Sequence, residues 1–513
     1  MTDKVTKPRA RKKREPKATA TVTVTEKGLK EQVDGNVRGL AVGLEKQEDY
    51  KISVPLALIP KAKPPLSTKV NTTLFKECPP HRHSSQAEGD SAIAALKWEF
   101  KLPMLYQPSH ADQYDNVFIS HFVTLNSSIR SYNQELPWIT HLPGLHYKAA
   151  KPALRLSIRA ASMAFYAQVH KDPSILMDSY RWYTQSLNAQ RLALARLSGN
   201  NLPDDEEILV PIILGLYEVY AGSTPASVFH HLTAATRILS MRGPKNCRLG
   251  VASILFKVIR VSDGHKALIF NQPSVLSCGE WMTIPFAGLP KNAHQYLADI
   301  LLAIPACIAL SGLKGSLGEA FSTPISYNID LAAVQRRTWE LLQEVDDWAK
   351  KFPHLTKTSN GPTIVDREMG IGISGAVPLT PDSTSLILPE AFVALTASTY
   401  YAIRLILNLL AHKISPRPLI SPISPSNANE MRSQSSFELI SIATECSRNV
   451  LDIAGFLEST HPVGFDFMRS VFPLVVVAVL GPQAHEQKIA QEMLRRWGES
   501  RGIGGLCGAW THR

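Results

Sequence analysis

The sequence predicts an all-α fold: a large array of stacked antiparallel helices carrying a disordered, basic N-terminal tail. Three observations carry this expectation. Apolar residues recur at three- and four-residue spacing in segment after segment beyond about residue 112. Helix-start and helix-stop residues bracket those segments. Neither a series of alternating strands nor a fixed-period repeat accompanies them, so a regular solenoid is not expected.

Residues 1–90 read as tail and linker, rich in Lys, Thr, Pro, Gly and Glu and nearly free of aromatics. "TATVTVTEK" (19–27) alternates as a strand does, yet no partner strand is evident, and "PKAKPPLSTK" (60–69) continues the linker character. Residues 91–356 read as the first part of a helical regulatory domain, 357–387 as a Gly/Pro/Ser/Thr-rich loop, and 388–513 as its C-terminal part.

Within the first part, Leu154, Ile158, Ala161, Phe165 and Val169 fall on one helical face. The next helix is expected to start at Ser174 as N-cap and stop at Gly199. Its seam is Leu176, Tyr180, Tyr183, Leu187, Leu194 and Leu197, interrupted by Gln190. A short polar loop, "HKDPS", makes the two a helical hairpin. Asp204 then caps an apolar helix with acids in its first turn and a bend at Pro211. Thr224-Pro225 opens another helix with an inner stripe of Phe229, Leu232, Thr236 and Leu239. Gly243 and Pro244 end it, the glycine by taking a left-handed conformation. Helices are expected again over 331–350 and 390–412. Ser435 and Glu438 form a capping box for another, and "HEQKIAQEMLRRWGESRGI" is the last amphipathic helix, with a glycine-rich finish.

Length and composition bound the function classes. At 513 residues the chain suggests about two to four domains or one large helical array. Its 44% hydrophobic content is enough for most of it to fold. No apolar stretch follows the basic N-terminus, so no secretory signal is read there. The longest apolar runs, "ILLAIPACIAL" (300–310) and "VFPLVVVAVL" (471–480), fall short of the ~17 to 25 residues of a membrane span and each contains a proline. They are expected to be buried helices of a soluble protein that contacts no membrane. The six cysteines (Cys78, Cys247, Cys278, Cys307, Cys446, Cys507) include no CxxC pair, which argues for reduced thiols in a cytosolic or nuclear protein.

Charge is uneven. Residues 1–17 hold eight cations and two acids, a net +6 of the chain's +11, so the body is only mildly cationic. "KPRARKKREPK" concentrates them as Lys7, Arg9, Arg11, Lys12, Lys13, Arg14 and Lys17. Three readings stay open: nuclear import, non-specific contact with DNA phosphates, or a solvated tail. Eight phosphate contacts would give a salt slope of about −7 and no sequence preference. Import is the expectation adopted.

Three stretches resemble the helical regulatory region of fungal zinc-cluster transcription factors. The first, "ILGLYEVYAGSTPASVFHHLTAATRILSMRGP" (213–244), is similar to that family's pattern of an apolar helix ending in Tyr-Glu, then His-x-x-(Gly/Ala)-Ala, then Arg-Gly-Pro. The second is "YDNVFISHFVTLNSSI" followed by "ELPW" (135–138). The third is "VFPLVVVAVLG…EMLRRWGESRGIGGL". Together they span roughly residues 112–513. The resemblance implies a nuclear, non-enzymatic transcriptional regulator, acting on metabolic or secondary-metabolite genes. It further implies protein contacts with the transcription machinery, a DNA-binding relative or a second copy, and a small-molecule effector.

Members of that family begin with a six-cysteine cluster holding two zinc ions beside a helix that enters the major groove. Here Cys78 is the only cysteine in the first 246 residues, so this chain does not build that module. Nucleic-acid contact is therefore expected to be non-specific at most; an upstream exon encoding the cluster is the other way DNA contact would arise. Two rival classes remain: a helical enzyme or carrier with a small-molecule pocket, and a TPR-like scaffold unrelated to transcription.

No catalytic, metal or cofactor site is expected. Cys78, His81 and His83 in "ECPPHRH" lack a fourth zinc ligand. Gly370, Gly372 and Gly375 satisfy G-x-G-x-x-G, but in a loop rather than between strand and helix, and Ser374 lacks the spacing of a hydrolase elbow. His230 and His231 are adjacent and diverge on a helix, one inward and one outward. The acids Asp204 to Glu207 read as a helix start, not a catalytic pair.

Overall fold

The computed structural model describes residues 111–128, 137–197, 201–222, 226–326, 328–356, 376–377, 388–415, 428–460 and 465–511. In chain order the helices are α1 (Ala111–Val123), α2 (Pro137–Thr140), α3 (Leu142–Lys148), α4 (Pro152–His170), α5 (Pro173–Ala195) and α6 (Asp205–Ala221). Next come α7 (Ser227–Arg242), α8 (Gly250–Ile269), α9 (Gly279–Thr283), α10 (Ala293–Ala309), α11 (Leu317–Ser322) and α12 (Ala332–Lys351). The last are α13 (Glu390–Ile414), α14 (Ala428–Thr460), α15 (Phe465–Arg469), α16 (Val471–Leu480), α17 (Ala484–Ser500) and α18 (Gly504–Thr511). The fold is all-α. Among the described residues the strand-like geometry is one two-residue antiparallel pairing, Ala376–Val377 with Leu388–Pro389.

The hairpin of α4 and α5 forms as the polar "HKDPS" loop predicts, because Lys171 ends α4 in a left-handed conformation and the chain reverses there. Its cap differs from the expected one. Asp172, not Ser174, is the N-cap: its carboxylate accepts the backbone N–H groups of Ser174 and Ile175, and Pro173 takes the first helical position, where no N–H is needed. The buried face of α5 is also rotated from the expected seam. Ile175, Ser179, Tyr183, Ser186 and Gln190 face inward, whereas Tyr180 is 54% exposed. The expected end of this helix, Gly199, and the expected opening of α7, Thr224-Pro225, lie outside the described residues.

α6 is capped by Asp204 as expected; the structure adds a reciprocal capping box with Glu207, and the helix continues through Pro211. On α7 the inner face is His231, Ala235, Thr236, Ile238 and Leu239, leaving Phe229 and Leu232 half-buried. Gly243 has the expected positive φ of 81°, but its ψ of 155° places it outside the left-handed helical region; Pro244 then opens a short 3-10 turn. The Ser435–Glu438 capping box is overturned, since α14 already starts at Ala428 and Ser435 lies in its interior. The glycine-rich finish is itself helical, as α18.

One core cluster runs from Ile119 on α1 to Cys507 on α18. Helices on either side of residues 357–387 share it. Trp348 of α12 stacks on Tyr400 of α13 with centroids 5.3 Å apart, and its indole N–H donates to the Ala293 carbonyl at 2.8 Å. Gln335 of α12 donates to the Ile414 carbonyl at 2.9 Å, and the Tyr401 hydroxyl donates to the Thr356 carbonyl at 2.6 Å. Both apolar runs are mostly buried, in α10 and α16, although Leu310 at the end of the first is 46% exposed. The stretch Val393–Ile414 of α13 is long and apolar enough to cross a membrane, but 83% of its most apolar window is buried among the other helices.

The backbones of α18 and α6 approach closely at Gly505. A Cβ built on Gly505 would sit 2.1 Å from the Glu218 carbonyl oxygen, so only glycine permits this contact. Replacement of Gly505 by alanine is expected to cost about 1–3 kcal/mol by overpacking. Gly455 of α14 is exposed and has nothing within 4 Å, so Gly455→Ala is expected to stabilise the protein by up to about 1 kcal/mol. Urea titration of the two variants checks the opposite signs.

Candidate functional site

Residues of the first and third quoted stretches meet around the seam between α6 and α7. Glu218 is a lone acid in the apolar C-terminal half of α6 and is 2% exposed. The Tyr183 hydroxyl of α5 donates to its Oε1 at 2.5 Å and lies 3.0 Å from Nε2 of His231 on α7. With the phenolic proton directed at Glu218, the hydroxyl oxygen accepts from the imidazole, which requires the Nε2–H tautomer of His231. Tyr183 also stacks on Tyr217, centroids 4.3 Å apart. Burial, with the carboxylate of Glu218 adding to it, pushes the Tyr183 phenol far above its ordinary range, so it stays a donor.

Neighbouring charges fasten the same helices end to end. Arg242, the arginine of "RGP", pairs with Asp205 at 2.6 Å and donates to the Pro203 carbonyl at 3.2 Å, tying the end of α7 to the start of α6. Lys151 bridges Asp204 and Glu207, each at 2.6 Å, while Glu206 accepts the backbone N–H groups of Ala150 and Lys151 at 3.0 Å. The acids 204–207 thus hold the start of α4 as well as capping α6. His231 faces inward and His230 outward.

Beside this seam lies a partly open cavity of ≈ 200 Å³ lined by α6, α7, α8, the α15–α16 junction and α18. Its wall is mostly aliphatic and aromatic, with Ile212, Val228, Phe229, Leu232, Val258 and Phe472 among the lining side chains. The polar members are Ser262, His265, Lys266 and Arg469; no Asp or Glu is among the described residues that line it. The His265 ring stacks on Phe472 with centroids 3.9 Å apart and planes 8° from parallel, and its buried Nε2 has no hydrogen-bond partner. Burial, and then the neighbouring His294 and Arg469, hold His265 well below the usual imidazole range, so it is neutral at pH 7. Lys266 is anchored, donating to Thr233 Oγ1 at 3.0 Å and pairing with Asp263 at 3.1 Å.

Lys7, Arg9, Arg11, Lys12, Lys13, Arg14 and Lys17 lie outside the described residues, as do Cys78, His81, His83, Gly370, Gly372, Ser374 and Gly375. Among the described residues no group of three metal-ligating side chains converges. The buried thiols of Cys446 and Cys507 are each pushed up to about 12 by desolvation, and Cys247 to about 11, so all three remain protonated at neutral pH. Sequence reasoning missed Tyr183 and His265 as site residues. For the first the available signal was an isolated acid, Glu218, inside an apolar helix, which demands a buried donor. No family model, curated protein or solved structure matches the chain.

Tyr183→Phe removes the donor to a buried carboxylate and is expected to cost about 1–3 kcal/mol with an unchanged urea m-value. Acid should also destabilise the protein. Burial lowers His121 and His294 to about 3 and His265 well below its usual value. Between pH 6.5 and about 3 the unfolded chain therefore binds protons that the folded one does not, and stability falls as pH drops through that window. Lowering the pH from 7.5 to 5.5 should cost on the order of 1 kcal/mol for each of these three histidines, read from urea midpoints at the two pH values.

Proposed function

We propose that this chain is a nuclear, non-enzymatic transcriptional regulator whose helical body resembles that of fungal zinc-cluster transcription factors. The observation that carries the reading is the convergence of the motif residues. Glu218 of the Tyr-Glu helix, His231 of His-x-x-Ala-Ala, Arg242 of Arg-Gly-Pro and Gly505 of the C-terminal glycine pair all fasten α6 to its neighbours. A pattern whose members are far apart in sequence yet serve one seam is what a shared scaffold requires. The body acts through protein partners, the transcription machinery or a DNA-binding relative, on metabolic or secondary-metabolite genes. The basic run from Lys7 to Lys17 delivers it to the nucleus, with non-specific phosphate contact as its most direct interaction with DNA.

The cavity specifically favours a second reading, a helical carrier or enzyme with a small-molecule pocket. Location separates the two. A fluorescent fusion in a fungal cell is expected to be nuclear and to redistribute to the cytoplasm when Arg11, Lys12, Lys13 and Arg14 are all replaced by alanine. Chromatin immunoprecipitation should recover defined promoters only while the chain is nuclear, and purified protein should show no preference for those promoters over random DNA. A fusion that stays cytoplasmic in both forms would favour the carrier.

A further inference from the structure

The α6 wall of the cavity is built from residues that weaken a helix. Pro211 and Gly215 stand about one turn apart, and both line the void. Pro211 has no N–H to offer the Glu207 carbonyl, and that carbonyl accepts instead from Gln190 Nε2 of α5 at 3.0 Å. The break is thus repaired from a neighbouring helix rather than avoided. Gly215 also disfavours a helix interior relative to alanine. Crowding does not demand it. Apart from the helix's own backbone, a Cβ built there meets one described atom within 4 Å, His231 Cβ at 3.5 Å, which is ordinary contact. Protein interiors are close-packed, so a face that omits a side chain where one fits and would strengthen the helix keeps a space open.

We propose that this cavity binds a neutral, apolar molecule of single-ring size, held by Ile212, Val228, Leu232, Val258 and Phe472 and accommodated because Gly215 carries no side chain. The polar groups of the wall are already committed. Lys266 pairs with Asp263 and donates to Thr233, Arg469 has an interaction partner of its own, and the buried Nε2 of His265 does not reach the void. A charged guest would lose its hydration without gaining a free counter-charge, whereas a hydrocarbon body loses nothing by entering. Size sets the upper limit: an apolar cavity of about 150 Å³ takes up a benzene-sized guest, so ≈ 200 Å³ suits one ring with a short substituent rather than a polycyclic compound. The site supplies the effector that the regulatory reading leaves unnamed and rests on that reading only for its consequence; the binding itself stands on the cavity.

The test is calorimetry on the purified full chain with toluene, ethylbenzene and indole, against benzoate and benzylammonium as charged probes of similar size. At least one neutral probe is expected to bind saturably, about tenfold or more tighter than either charged one. Gly215→Ala should raise the urea midpoint, because it strengthens α6, and yet weaken the tightest neutral probe about threefold by narrowing the cavity. A gain in stability with a loss of binding is not what damage to the fold would give. Val228→Trp, from the half-buried opposite wall, should fill the cavity and abolish binding. If that variant does not fold, Gly215→Ala decides the matter. Absence of saturable binding by all three neutral probes overturns the proposal. So does a charged probe that binds as tightly, binding that either variant leaves intact, or a Gly215→Ala chain that is less stable than the parent. Because no reporter or localisation measurement enters, these results and those on nuclear function can fail separately.

Discussion

A carboxylate buried at the centre of an all-helical core is the constraint to which the surrounding helices answer. Glu218 is almost wholly withdrawn from water, and a buried charge is tolerated only where donors meet it. Tyr183 from α5 supplies the donor, and His231 from α7 fixes the phenol in turn. Three helices must therefore arrive at one point in one register. The main chain of the same residue is equally committed: its carbonyl accepts the N–H of Gly222, which closes α6, and is roofed by Gly505 of α18. A helix slid by one residue along this seam would leave an acid unpaired in hydrocarbon. Apolar side chains tolerate such slippage far better, so the polar trio contributes uniqueness where aliphatic packing contributes most of the stability.

The cavity lies beside the same arrangement. Glu218, His231 and Arg242 hold α6 to α7, and Val228, Leu232 and Val258 line the space between these helices and α8. The gap is partly filled by the α15–α16 junction, which brings Arg469 and Phe472 against His265. α8 and the α15–α16 junction each contribute both polar and apolar side chains to the wall.

Much of the fold was legible because helical periodicity is a local signal. The extents of α4, α12 and α13, the cap at Asp204 and the burial of most of both proline-containing apolar runs follow from spacing and cap residues alone. What was misread depends on rotation about a helix axis, which only the partner determines. Tyr180 and Tyr183 fit one apolar stripe equally well, yet Tyr183 turns inward because Glu218 awaits it and Tyr180 remains in solvent. The cap at Asp172 was passed over for Ser174 because Pro173 between them was not read as a first helical residue. The candidate site was less legible still. His265 is one histidine on a mostly apolar helix, and its meaning arises from Arg469 and Phe472 about two hundred residues away.

Gly505 against Glu218 also sets an order of events during synthesis. The two residues are separated by nearly three hundred positions, so α6 leaves the ribosome long before the helix that covers its carboxyl-terminal turn. At a translation rate of about 5–20 residues per second, that interval lasts roughly fifteen seconds to a minute. Throughout it the nascent chain presents the apolar C-terminal turns of α6 uncovered. The seam between α6 and α18 is thus among the last parts of the core to close, after every other helix that packs on α6 has been made.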